Sequence, residues 1–202
     1  MFQALNFEWM KDQTVLKHTA GTFTAGTVNG ASQTGTTLVT NAITGTLTAG
    51  DIITIAGVNA VNRVTKQTTG QVRQFVVLAA VSNGGTSISI YPAITPAVGG
   101  ASVQYQTVTA SPANAAAITL GTPAGVTYRK NIAFAPQAVT MATADLMLPN
   151  NVQAAREVFD GISMRMVQQY NISTDQEIQR CDVLYGYLYV KPEWAVAVCD
   201  SL

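Results

Sequence analysis

Hydrophobic and polar residues alternate through the last part of the chain in three runs, Ile162 to Asn171, Ile178 to Val190 and Trp194 to Val198. A polar turn separates the first two, and Lys191-Pro192-Glu193 separates the last two. Successive side chains of a strand point to opposite faces, so alternation broken by short punctuation predicts paired antiparallel strands. Ser173 and Thr174 lie in the middle of the polar loop. Folding there sets Arg165 opposite Asp182 and Met166 opposite Cys181. Opposite charges then share one face and apolar groups the other, with each cross-strand pair contributing ~0.2–1 kcal/mol. Ile162, Met164, Met166 and Tyr170 give the first strand one mostly apolar face, which a one-residue slip would turn outward, so the register is expected to be firm. Val183-Leu184-Tyr185 is apolar on both sides and predicts a strand covered on both faces. Tyr185, Tyr187 and Tyr189 line one side of that strand, and Trp194 opens the last run.

The earlier chain changes character twice. Met1 to Thr19 mixes aromatic, apolar and charged residues without a clear period, and Phe2, Phe7 and Trp9 read as a packing edge. From Ala20, glycines at 21, 26, 30 and 35 alternate with threonines, which suits short strands joined by tight turns. After the turn dipeptide Gly50-Asp51, Ile53, Ile55 and Gly57 fall on one face and Ile52, Thr54 and Ala56 on the other. Gln74 to Val81 is a continuous apolar run, Thr86 to Tyr91 alternates strictly, and Asn83-Gly84 between them signals a hairpin. Val103 to Thr109 alternates again. About six strands thus fit between Ala20 and Gly121, the pattern of a small antiparallel barrel or sandwich. Ser111 to Leu120 suits either a turn of helix or a strand approach. Asn151 to Phe159 suits either a short helix capped by Asn150 or Asn151 and ended by Gly161 or equally a loop, since helices of that length are marginal. The expected class is mostly β, of the α+β kind.

Composition narrows the roles open to such a chain. Its 202 residues are 48% hydrophobic, enough to bury a core, and only 11% charged, against roughly 25% in ordinary domains. Eleven basic residues balance eleven acidic ones, so no long-range field favours nucleic acid or anionic lipid. Neither a leader-like segment nor a long apolar run is seen, so no membrane role is expected and a cytosolic origin is. Cys181 and Cys199 fit no zinc spacing and are expected as buried thiols rather than a disulfide.

The search for reactive chemistry returns little. None of the usual nucleophile, metal or phosphate-binding signatures occurs. His18 is the single histidine, which rules out a multi-histidine metal site. Asp145, Glu157, Asp160, Asp175, Glu177, Asp182, Glu193 and Asp200 sit mostly beside turns, where capping or solvation is the plain reading. Asp51 is expected to fix its own turn. Arg129-Lys130 suits an interface or surface contact. No catalytic residue, cofactor or metal is assigned. The tyrosine stripe suits burial against another layer or subunit, or stacking on sugars.

Five segments, in order, carry a resemblance: Gly50 to Gln67, Tyr105 to Asn114, Asn131 to Pro149, Asp160 to Tyr170 and Arg180 to Val198. Together they resemble the major coat protein of short-tailed phages of the Salmonella P-twenty-two type, over about Phe7 to Val198. The resemblance implies the capsid fold of tailed phages and herpesviruses with an inserted six-stranded antiparallel β-barrel. Residues 20–121 would be that insertion, 1–19 an opening segment of the shell domain, and 122–202 a further shell segment of the axial and peripheral domains. It also implies a non-enzymatic virion subunit that self-assembles into an icosahedral head, with other coat copies, scaffolding and portal proteins as partners, in the host cytoplasm during assembly and the capsid afterwards. Arg165, Asp182, Tyr185, Tyr187, Tyr189 and Trp194 are the candidate structural or interface residues. Ala31 to Ala49 is short and uncharged where that family carries a charged intercapsomer loop. The family's arm and spine helix would precede Met1, so the match is to the C-terminal part of a coat protein. The alternatives are a β-rich carbohydrate-binding module of a phage tail or surface protein and, more remotely, a hydrolase using scattered carboxylates.

Overall fold

The computed structural model describes residues 2–4 and 7–201, with no side-chain description for 2–4, 192, 200 and 201. Phe2, read as part of a packing edge, and the Asp200 carboxylate therefore lie outside the described side chains. The strands are β1 (Phe2–Ala4), β2 (Phe7–Trp9), β3 (Lys17–Thr19), β4 (Gly35–Val39), β5 (Ile52–Val61), β6 (Thr68–Val77), β7 (Ser87–Ile94), β8 (Ile118–Leu120), β9 (Thr127–Phe134), β10 (Val139–Ala144), β11 (Gln153–Phe159), β12 (Ile162–Asn171), β13 (Gln176–Tyr189) and β14 (Ala195–Ser201). Two short 3-10 turns, Pro136–Ala138 and Pro192–Trp194, are the helical elements among the described residues. The chain is mostly β. It divides into two compact units, residues 1–130 with 199–202, and residues 131–198.

The first unit is built around a five-stranded antiparallel sheet in the order β4-β7-β6-β5-β8. Its core is Phe23, Val28, Leu38, Ile43, Leu47, Ile53, Ile55, Val58, Phe75, Val77, Ile88, Ile90, Ile94, Val108 and Ile118, all within the segment read as a barrel. Alternation explains the choice: Phe75 and Val77 of β6 are buried while Val76 between them is more than a third exposed. The phase of β5 is not constant. Ile53 and Ile55 point inward, but the next buried residue is Val58 rather than Gly57. Gly57, at φ 79°, lies where the β5–β6 register shifts, so an extra residue there reverses the alternation.

Five regular strands, rather than about six, lie between Ala20 and Gly121 among the described residues. The residues before β4 join both edges of the sheet by single bridges. Val28 bridges Thr40 just past β4, while Thr27 bridges Ala117 just before β8. The Val28 N–H donates to Ala116 O, and the Asn41 N–H donates to Thr27 O. Glycines keep this segment from forming a regular ladder. Gly30 and Gly35 have φ near +90°, and Gly26 lies against the Phe23 ring. Val103 to Thr109, expected as a strand, contributes only the Ala60 to Val108 bridge. Its polar side chains bond backbone instead: Gln106 Nε2 donates to Val108 O and Thr107 Oγ1 to Ala93 O. The loop containing Asn83-Gly84 is longer than a tight hairpin, and Asn83 Oδ1 accepts the Gly45 N–H. The ambiguous segment before Gly121 approaches the sheet extended and ends in β8.

The second unit is a four-stranded antiparallel sheet in the order β10-β13-β12-β11. Long β13 serves two partners in succession, β12 up to Val183 and β10 from Leu184. At the change, Thr143 Oγ1 donates to Gly161 O and accepts the Ser163 N–H. Asn151 to Phe159 is not a helix. Residues Gln153–Phe159 form β11, paired with β12 from Gln153 opposite Gln168 to Phe159 opposite Ile162. The reason is local: Asp160 and Gly161 both have positive φ, 49° and 76°, the conformation of a two-residue hairpin turn that Asp-Gly favours. Gly161 turns a hairpin where a helix end was expected, and seven cross-strand partners outweigh a weak helical tendency.

Candidate interaction surface

β12 and β13 place Arg165 opposite Asp182 and Met166 opposite Cys181, the register read from the sequence. The Arg165 guanidinium donates to Asp182 Oδ2 through Nε at 3.2 Å and through Nη2, and its Nη1 donates to Met147 O at 2.6 Å. Arg180 adds an Nη2 bond to the same carboxylate oxygen at 2.9 Å. Bonds from Arg165 first, and then from Arg180, hold the Asp182 carboxyl below its ordinary range. Arg156, opposite Arg165 on β11, is kept from facing it unpaired by Asp145 at 3.4 Å and by Leu146 O. The result is a charged, internally satisfied face.

The opposite face carries an apolar patch. Pairing puts Tyr189 across from Val139, Tyr187 from Met141 and Tyr185 from Thr143, while Val183 faces Met164. None of these is covered: Tyr185 is 63% exposed, Tyr187 67% and Tyr189 59%. The expectation that Val183-Leu184-Tyr185 is covered on both faces is corrected, since all three are exposed. No second layer of this unit lies over them, so apolar character marks a face prepared for burial rather than one buried within the chain. Tyr187 and Tyr189 meet edge to face, with ring planes 84° apart. Trp194, in the turn before β14, lies under the Lys191 ammonium at 4.0 Å and accepts the Ala135 N–H at its carbonyl. At the far end of the sheet, the Tyr170 hydroxyl donates to Asp175, which raises the phenol above its usual range. Cys181 and Cys199 are free, as expected, but exposed rather than buried.

A second polar constellation lies in the first unit, and reasoning from the sequence missed it. His18 Nε2 is 2.7 Å from Asp51 Oδ1, and Asp51 Oδ2 accepts the N–H groups of Thr48 at 2.7 Å and Gly21 at 3.1 Å. The Asp51 side chain is fully buried. A backbone turn was expected of it, and it fixes that turn while also reaching two distant segments. The one available signal was compositional: Asp51 is the single acidic residue between Ala20 and Gly121. Phe7 and Trp9, by contrast, are exposed and pack against each other. Among the described residues no group of histidine, cysteine and carboxylate is arranged to hold a metal ion.

Residues 7–198 match the model of one family, described as P22 coat protein, gene protein 5. The chain belongs to the P22 coat protein family. Its role is therefore that of a capsid structural protein, and its place is the virion capsid. Among solved structures, the CUS-3 coat protein I-domain is 31% identical, with 48% of this chain and 93% of that one covered and a TM-score of 0.37. No match is found among curated proteins. As a coat protein, the chain has good reason to carry apolar surface that its own residues leave uncovered.

Proposed function

We propose that this coat protein acts by self-association into an icosahedral head, with the β10 to β13 sheet among the surfaces buried on assembly. The observation that carries the reading is the uncovered apolar face formed by Tyr185, Tyr187 and Tyr189 with Met141, Met164 and Met166, all of them exposed. Contiguous apolar surface of this kind is rare on monomeric proteins and is normally buried against a partner. On this reading residues 20–121 are an inserted domain, and the flanking segments are parts of the shell. Assembly takes place in the host cytoplasm with scaffolding and portal proteins, and Arg165 and Asp182 set register while the tyrosines and Trp194 make contacts.

The test is expression of the complete coat subunit with its scaffolding protein, followed by velocity sedimentation. Wild-type subunits should run as shell-sized particles and Tyr187→Asp should accumulate as free, folded subunits. A complete wild-type subunit that stays monomeric would refute the assembly reading. The carbohydrate-binding alternative has less in its favour. Sugars stack on coplanar aromatic platforms, whereas Tyr187 and Tyr189 are nearly perpendicular. Specific glycan-array binding lost on Tyr187→Ala would reverse that preference.

A further inference from the structure

The barrel is attached to the strands that flank it by a polar hub rather than by its core. Every member of the buried cluster lies between Phe23 and Ile118, whereas the flanking ribbon is β3 paired with β9, with His18 opposite Tyr128. At the centre of this attachment is the buried Asp51, at the head of β5, beside the Thr48 hydroxyl, which donates to Thr19 O at 3.0 Å. One oxygen receives His18 of β3, and the other receives the N–H of Gly21, in the connection leaving β3, and of Thr48, in its own turn. An ionised carboxylate only accepts, so His18 Nε2 carries the proton in this contact. Gly21 is required at its place, since a Cβ there would lie 2.1 Å from Thr46 O.

The groups around this hub are few. Lys130 of β9 donates to Gly50 O at 2.6 Å, and the Tyr128 ring meets His18 edge-on at 5.3 Å. Burial, before any other influence, lifts the Tyr128 phenol, with the Thr122 hydroxyl opposing and Cys199 adding to the rise. Lys17 and Arg129 flank the ribbon as a cross-strand pair. Among the described residues, Asp51 is the carboxylate on which His18, Gly21 and Thr48 converge.

We propose that Asp51 is an acid-operated lock: ionised, it holds the β3–β9 ribbon to the barrel wall, and protonated, it releases the ribbon while the barrel core stays folded. A neutral carboxyl carries a hydrogen of its own and no longer makes three charge-assisted bonds to the half-buried His18 and Thr48 and the buried Gly21. The direction in pH follows from the site. Burial taken alone would raise the carboxyl, but bonds from Thr48, His18 and Gly21 outweigh it and hold it below its ordinary value of 3.8. The lock is therefore closed above the carboxylate range and opens as pH falls through the lowered value.

The experiment is a pH titration of the whole chain by amide NMR with hydrogen exchange corrected for intrinsic rates. It follows the Gly21 and Thr48 amides as the lock and Ile88 and Ile90 as the core. The lock amides should titrate together in the acid range and lose at least about tenfold protection, the scale of one charge-assisted bond, while the core amides keep theirs. Asp51→Asn should show the open lock at neutral pH, because the new amide presents donors to donors. Should that variant fail to fold, His18→Ala should bring the opening to higher pH, and Lys130→Met, which removes an ammonium that bonds Gly50 O and lies over the Tyr128 ring without bonding Asp51, should leave the wild-type midpoint in place. Loss of core and lock protection at one common midpoint, or lock amides without a shared transition, would overturn the proposal.

Discussion

Arg165 and Asp182 stand directly opposite each other on β12 and β13, and the guanidinium that grips the carboxylate also donates to Met147 O. One side chain therefore ties two strands of the sheet to the connection that follows β10. Arg165→Met should loosen both. Amide exchange in β12, β13 and residues 145–149 should speed up together, with the barrel core unchanged, and acceleration confined to 145–149 would show that Asp182 contributes nothing to the pairing.

The same pair has a pH dependence. Asp182 is held below its ordinary range, so its contribution is complete above the unfolded carboxylate value and is lost as pH falls through the lowered folded value. Asp182→Asn should abolish that acid dependence in the β12–β13 amides and lower their protection at neutral pH.

The core of the first unit should behave as a close-packed interior. Phe75 is fully buried at its centre, and Phe75→Ala should cost ~3–5 kcal/mol, whereas Ile53→Val should cost ~0.5–1.5 kcal/mol. Denaturant midpoints measure both. Tyr187→Ala, at an exposed position, should leave the midpoint within about 0.5 kcal/mol of wild type.

Two glycines admit no side chain for different reasons. At Gly45 a Cβ would lie 2.1 Å from Thr22 O, and φ is 89° besides, so Gly45→Ala should destabilise the barrel by at least ~1–3 kcal/mol in thermal unfolding. At Gly161 the surroundings are open and only the positive φ matters. Gly161→Ala should cost ~1 kcal/mol, seen as lost protection in β11 and the start of β12. Asp160→Asn should be close to neutral, since Asn-Gly suits the same turn.

The β12 strand was legible to the residue, and β13 nearly so, because side-chain alternation and a polar turn are local properties and the charge pair across the turn leaves one favourable register. β11 was read as a short helix or a loop and not as a strand, because the Asp160-Gly161 turn that decides its conformation lies beyond its end. In the five-stranded sheet, the Gly57 irregularity hid the true phase of β5 from a strict period of two.

By itself, then, the sequence determined a β-rich chain, the positions of β12 and β13, the register between them and, through five ordered segments, its kinship with phage coat proteins. Only the tertiary structure decided which apolar faces are covered. Alternation marks a face as apolar, but covering it depends on layers from elsewhere, which is why Val183 to Tyr185 read as covered on both faces and stand exposed. The structure alone also brought His18 and Asp51 together across 33 positions. A bond of that span leaves no local pattern, because its donors and acceptor become neighbours only once the ribbon and the barrel wall have folded.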